Sequence, residues 1–240
     1  IRLKLKITLL GYIALVTIIW YNHLIKIAMN RTTTRQLPFL INQNIYESKV
    51  VEGTIIIPDI SGFSRFVETT DVATGKLVIS KLLNAIIKSN VLDLQISEIE
   101  GDAVLFFKYG KRISAKDILH QFCLMKEVFN QEVNFLEEEF ELNIDLSLKL
   151  IAHYGALAQY NIGKFEKLYG QTVIEAHHLL KNSVASNTYV LLTDALLDAE
   201  VNSELKNLNK FVENTICEVY DGIKKICYTF FDFENDLCKK

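Results

Sequence analysis

The sequence predicts an α+β fold, a mainly antiparallel sheet with helices packed chiefly on one face. Three observations predict it. Short β-branched or alternating runs mix with amphipathic stretches and show no strict strand–helix–strand rhythm. Tight connections such as Ile99-Glu100-Gly101-Asp102 and Asp221-Gly222 join neighbouring strands as antiparallel hairpins. Half of the 240 residues are hydrophobic, enough for one well-buried domain with additions.

The elements follow in order. Residues 1–28 form an apolar N-terminal segment, densest over Ile7 to Tyr21 and flanked by Arg2, Lys4, Lys6, Lys26, Arg31 and Arg35. A spanning helix needs about 20 apolar residues, so residues 7–25 read as a membrane anchor. Because Met29 is the first methionine, an upstream extension is the competing reading, and no small-x-small cleavage site marks a signal peptide. Residues 29–52 are polar and mixed, a linker or arm. A domain is expected over 53–231, with a polar tail at 232–240.

Within that domain Thr54 to Ile57 is a brief apolar strand ending at Pro58. Asp59 follows, and Ser61, Gly62, Phe63 and Ser64 read as a turn entering a helix, whose backbone amides attract phosphate. A helix from about Ala73 to Ser89 carries Leu77, Leu82, Leu83, Ile86 and Ile87 on one face and Lys76, Lys81 and Lys88 on the other. Leu92 to Glu98 and Ala103 to Tyr109 are strands. Ser114 is a plausible N-cap, with Asp117 in the first turn of a helix whose core stripe runs from Ile118 to Phe140. Glu137, Glu138, Glu139 and Glu141 read as a solvated face. Ile144 to Leu150 alternates as a half-buried strand, continues toward Gly155 and takes a partner near Ala156 to Asn161. His153 reads as a packed strand histidine. Lys164 to Gly170 is expected as a loop, Gln171 to Lys181 as a helix and Tyr189 to Leu192 as a strand. Thr193 and Asp194 cap a short helix from Ala195. Val212 to Tyr220 and Ile223 to Phe231 form the closing hairpin.

The net charge of −3 carries no basic excess for nucleic acid. Cys123, Cys217, Cys227 and Cys238 are scattered without a CxxC pair, which excludes a zinc ribbon and predicts free thiols in a reducing compartment.

The chemistry lies at two acids. The hairpin tip should bring Asp102 beside Asp59. Two carboxylates at one strand-end pocket suit two divalent cations about 4 Å apart, and oxygen ligation suits magnesium or manganese.

Three stretches resemble the class III adenylate and guanylate cyclases. PDISGFSRF resembles the family's first metal stretch, in which an acid precedes Ile-x-Gly-Phe-Thr. SEIEGDAVLFF resembles its second metal hairpin, in which Gly-Asp begins a strand. YGQTVIEAHHLL resembles, in degraded form, its Gly-x-x-Val-Asn-x-Ala-x-Arg helix. The resemblance covers roughly Val50 to Asp194, and its wording is similar to a bacterial subgroup of uncharacterised cyclase-like domains.

The resemblance implies a ferredoxin-like βαββαβ core of the nucleotide cyclase type, and a cytoplasmic homodimer whose sites are shared between subunits and take a nucleoside triphosphate. Metal ligands would be Asp59, Asp102 and the Ile60 carbonyl, with phosphate on the amides of Ser61 to Ser64. Ile174 stands where the family has its ribose-orienting asparagine, and His178 where it has its transition-state arginine. Glu98 and Lys167 take the base-reading positions and match neither the adenine nor the guanine pair. They are expected to form an ion pair across the dimer. The functional readings are a metal- and nucleotide-binding domain with weak or no cyclase activity and a regulatory role, an active cyclase or other metal-dependent nucleotide enzyme, or a structural dimerisation module.

Overall fold

The computed structural model describes residues 50–197, 214–220, 225–234 and 238. The apolar segment, most of the arm and the turn at Asp221-Gly222 lie outside the described residues. Among the described residues no helix is long and apolar enough to cross a membrane.

The chain runs β1 (Val51–Ser61), α1 (Phe63–Thr69), α2 (Val72–Lys88), β2 (Gln95–Glu100), β3 (Ala103–Tyr109), α3 (Ala115–Phe140), β4 (Ser147–Ile162), β5 (Phe165–Tyr169), α4 (Gln171–Leu179), β6 (Tyr189–Thr193), β7 (Asn214–Glu218) and β8 (Ile226–Asp232). The sheet order is β2-β3-β1-β4-β6-β8-β7, with β5 paired to β4 off this path. All pairings are antiparallel except β4 with β6. The first four strands, in the order β2-β3-β1-β4 with α2 and α3 as crossovers, form the expected ferredoxin-like core.

Alternation along β1 sorts its residues between two layers. Ile56 and Ile60 join Val104, Phe106, Leu82, Ile86, Phe122 and Phe129 in the larger core beneath α2 and α3. Ile55 and Ile57 join Leu105, Phe107, Leu157 and Ala176 on the opposite face, which α4 covers. Gly155 admits α4 there, because a Cβ would stand 2.5 Å from Thr172 Oγ1. Thr172 Oγ1 itself donates to the Ala156 carbonyl at 2.8 Å.

Helix starts follow local chemistry. The Asp71 carboxylate accepts from the amides of Ala73 and Thr74 at 3.0 and 3.1 Å and begins α2. Ser114 Oγ accepts from the Asp117 amide at 3.1 Å and begins α3. Fully buried Gln121 holds the chain after α2: its Oε1 accepts from the Val91 and Leu92 amides, and its Nε2 donates to the Ser89 carbonyl.

Several expectations are corrected. The first strand does not stop at Pro58. The β1–β4 register continues unbroken from Val51 to Ser61, while the β1–β3 register skips Ile57 and Pro58. Proline lacks an N–H, so the ladder breaks on one side only and the other side carries the strand through. The stretch 164–170 is largely strand β5, and β4 is one 16-residue strand running past Gly155. Ala195 opens a turn, with the Leu196 and Leu197 amides donating to the Thr193 carbonyl. The cysteines are not free thiols: Cys123 pairs with Cys238 and Cys217 with Cys227. The second pair is brought together by register, since the two residues face each other across β7 and β8.

Candidate functional site

The passage of β1 through Pro58 decides where Asp59 stands. It sits on an interior strand, opposite Ala103 of β3 and Lys149 of β4, on the face that α4 covers. The β2–β3 hairpin turns at Gly101, in left-handed conformation, and the Asp102 carbonyl accepts from the Ile60 amide at 3.2 Å. That bond ties the hairpin tip to the end of β1. The two acids therefore converge as the spacing predicted.

Their electrostatics follow from this placement. Burial, then the charge of Asp59 and a hydrogen bond shared with it, push the Asp102 carboxyl up to about 6. Lys149 Nζ lies 2.9 Å from Asp59 Oδ2, with both side chains largely out of solvent. Burial alone would lower the Lys149 ammonium, but the charge and hydrogen bond of Asp59 outweigh it and hold the group above its ordinary value.

Asp59 and Asp102 open onto a cavity of about 480 Å³. Glu98 and Glu100 extend its acidic wall, and His177, His178 and Lys181, from α4 and the residues just after it, stand in the same lining. The cavity is therefore bipolar within a single chain, with oxygen donors able to hold a cation and cationic or N–H donors able to meet phosphate oxygens. His178 reaches this cavity in its own chain, whereas the resemblance assigns its position to the partner's site.

Ile174 is half exposed and does not line the cavity. Ser61, Gly62, Phe63 and Ser64 also lie beyond its wall. Gly62 is left-handed, at φ 89°, and a Cβ there would meet the Asp145 carbonyl at 2.6 Å, so the sharp turn into α1 requires glycine. Helix α1 has seven residues, and no side chain caps it.

Glu98 and Lys167 meet within one chain. Lys167 Nζ donates to Glu98 Oε2 within one chain, because β5 folds back along β4 and lies against β2. His177 Nε2 stands 3.5 Å from the other Glu98 oxygen. His153 is packed, as expected, between Thr193 Oγ1 and Glu175 Oε2, each at 2.8 Å.

Among the described residues, no group of three or more His, Cys, Asp and Glu could hold a metal ion. The fit for a cation therefore rests on the two carboxylates of Asp59 and Asp102; Ile60, the third expected ligand, is not among the residues that line the cavity. Magnesium is commonly held by one or two carboxylates, with water and substrate phosphates completing its shell, so this donor set fits such an ion. Sequence reasoning missed Lys149, Glu100, His177 and Lys181. Lys149 was legible as a lysine on the same strand face as Ile151 and His153. Glu100 follows from the same hairpin as Asp102, while His177 and Lys181 became neighbours only through the docking of α4.

A family model described as a protein of unknown function (DUF2652) matches residues 79–189, which include Asp102 and α4 but not Asp59. An uncharacterised protein of Mycobacterium tuberculosis is 26% identical over 123 residues, 49% of this chain and 58% of that protein. The chain thus spans little more than half the length of this curated relative. The adenylyl cyclase CyaB from P. aeruginosa superposes with a TM-score of 0.59 at 17% identity, over 79% of this chain and 98% of that one. A class III adenylyl cyclase-like ATP-binding protein from Pseudomonas aeruginosa superposes at 0.52 and 15% identity, over 62% of this chain and 35% of that one.

Proposed function

We propose that this chain, which has the fold of class III adenylyl and guanylyl cyclase domains, binds a nucleoside triphosphate or related polyphosphate with a magnesium or manganese ion, has weak or no cyclase activity, and serves a regulatory role. The observation that carries the reading is the convergence of Asp59 and Asp102 in a cavity that also holds His177, His178 and Lys181. Acids can hold the cation there while the cationic residues meet phosphate. A fold neighbour described as an ATP-binding cyclase-like protein supports use of this fold for binding.

The low activity follows from the residues at the family's catalytic positions. Ile174 offers no hydrogen-bonding side chain. His178 is shorter than arginine and lacks its bidentate fork. The chain acts as a homodimer. Its apolar contact is the outer ribbon of the β4–β5 hairpin, where Ile162, Phe165 and Tyr169 are all more than half exposed.

The test is calorimetric titration of the chain with ATP and GTP, with and without manganese, alongside Asp102→Ala. Metal-dependent binding by wild type that is lost in a folded Asp102→Ala supports the reading. Equal binding by the variant removes the site assignment. No binding by either leaves a structural dimerisation module.

The active-enzyme reading draws on one observation, that His177, His178 and Lys181 share the cavity of the acids and supply N–H donors in cis. Product analysis after incubation with ATP or GTP separates it from binding alone.

A further inference from the structure

We propose that Lys149 is a built-in cation of the acid pair, holding one side of Asp59 so that the cavity takes up a polyphosphate with a single divalent ion. The inference rests on the binding reading above and specifies its cation count.

The β1–β4 register sets Lys149 directly across from Asp59. Its ammonium lies 2.9 Å from Asp59 Oδ2, and the two side chains are only 18% and 12% exposed. Lys149 reaches Asp59 sideways from the neighbouring strand and is not among the residues that line the cavity. One carboxylate oxygen is thereby committed to an ammonium. The other oxygen and the Asp102 carboxylate remain for a metal.

The charges lead to the same count. Asp59 and Asp102 line one cavity, and two carboxylates held that close repel each other. Lys149 offsets one of these charges without any ion from solution. One divalent ion then leaves the group cationic toward a polyphosphate. A second ion on Asp59 would have to displace the ammonium or stand beside it. Of the other acids in the wall, Glu98 is engaged by Lys167 and faced by His177, and Glu100 is exposed to solvent.

Manganese binding to the whole chain, read by electron paramagnetic resonance, tests this. Wild type, Lys149→Met and Lys149→Arg are titrated with Mn²⁺ alone, and then with a non-hydrolysable ATP analogue at saturation. Lys149→Met is expected to bind Mn²⁺ about fivefold or more tightly than wild type, a size typical of coupled sites. Lys149→Arg, which keeps the charge, stays close to wild type. Nucleotide-bound wild type holds one Mn²⁺, and nucleotide-bound Lys149→Met holds two. Equal Mn²⁺ affinity in wild type and a folded Lys149→Met overturns the proposal, as do two Mn²⁺ in nucleotide-bound wild type. If Lys149→Met does not fold, the wild-type stoichiometry decides. If wild type binds no nucleotide, the binding reading fails instead, and the titration with Mn²⁺ alone still decides the role of Lys149.

Discussion

Lys167 and Glu98, 69 positions apart, are joined within one chain by a contact between β5 and β2 at the rim of the acidic cavity. The resemblance assigns the pair to the positions where the family reads its base, so on the binding reading the Glu98 carboxylate has a donor before any purine arrives. Lys167→Ala should free that carboxylate and change the ratio of ATP to GTP affinity, while thermal stability stays close to wild type because exposed pairs contribute little. Glu98→Lys should lose whatever the pair provides, and adding Lys167→Glu should restore it at dilutions where the chain sediments as a monomer. Restoration seen only at concentrations that favour the dimer would place the contact between chains.

Asp102 makes stability depend on pH. Its carboxyl titrates near 6 in the folded chain against an ordinary 3.8. Between these values the folded state holds a proton that the unfolded state has released. The stabilisation is complete below the ordinary value and is lost as pH rises through about 6. Calorimetric melts across this range should show Tm falling with rising pH relative to Asp102→Asn, in which that contribution is absent. Cation affinity should run the other way and weaken as pH drops below about 6, since a protonated carboxyl is a poor ligand. A metal affinity that is flat across this window would remove Asp102 from the ligand set.

Cyclic nucleotide production by the purified chain should be weak or absent. His178→Arg places a bidentate cation in the acidic cavity, and one well-placed donor is worth about 10²–10³-fold in rate. Ile174 does not line the cavity of its own chain. Ile174→Asn should therefore add to His178→Arg only if α4 serves a partner's site. Chromatographic product analysis of both singles and the double variant distinguishes cis from trans assembly. Robust turnover by wild type would defeat the expectation of low activity.

Much of the fold was legible because local patterns carried it. Ser114 caps a helix, Gly101 turns a hairpin, and Ile118 to Phe140 repeats at helical steps, each within a short window. Pro58 misled because the reading treated proline as a stop, when the loss of one N–H interrupts only the β3 side of a strand that β4 holds in register. The convergence of Asp59 and Asp102 was readable from a strand, a helix and a hairpin in sequence. The opposing His177 and Lys181, and the placing of His178 in the same chain, were not, because they depend on how closely α4 approaches Gly155. The disulfides were missed for a similar reason: Cys123 and Cys238 are 115 positions apart, and the other pair is made by cross-strand register.

The apolar ribbon of the β4–β5 hairpin yields a prediction about assembly. Phe165 is 62% exposed and Tyr169 70%, and Tyr160 packs edge-on against Tyr169 on the same hairpin. Phe165→Asp should shift the chain from dimer to monomer in sedimentation velocity. Folding stability should change by only about 0.5 kcal/mol, as for other exposed positions. An unchanged sedimentation coefficient would remove the hairpin from the interface.

Glu175 and His153 should dominate the stability of the α4 face. They lie on α4 and β4, and Thr193 of β6 completes the chain of hydrogen bonds, so three elements meet at one imidazole. All three residues are more than nine-tenths buried. Removing one partner of such a buried pair costs about 3–5 kcal/mol, because the other is left without its counterpart in a dry site. Glu175→Leu should therefore lower the urea midpoint strongly. Thr193→Val removes a neutral hydroxyl and should cost less, about 1–3 kcal/mol. His153→Phe together with Glu175→Leu replaces the pair by apolar groups and should recover part of the loss in Glu175→Leu. Urea unfolding of wild type, the two singles and the double variant gives the coupling energy directly. Simple additivity of the His153 and Glu175 effects would mean that the two residues pack independently, and that the hydrogen bond between them does not hold α4 to the sheet.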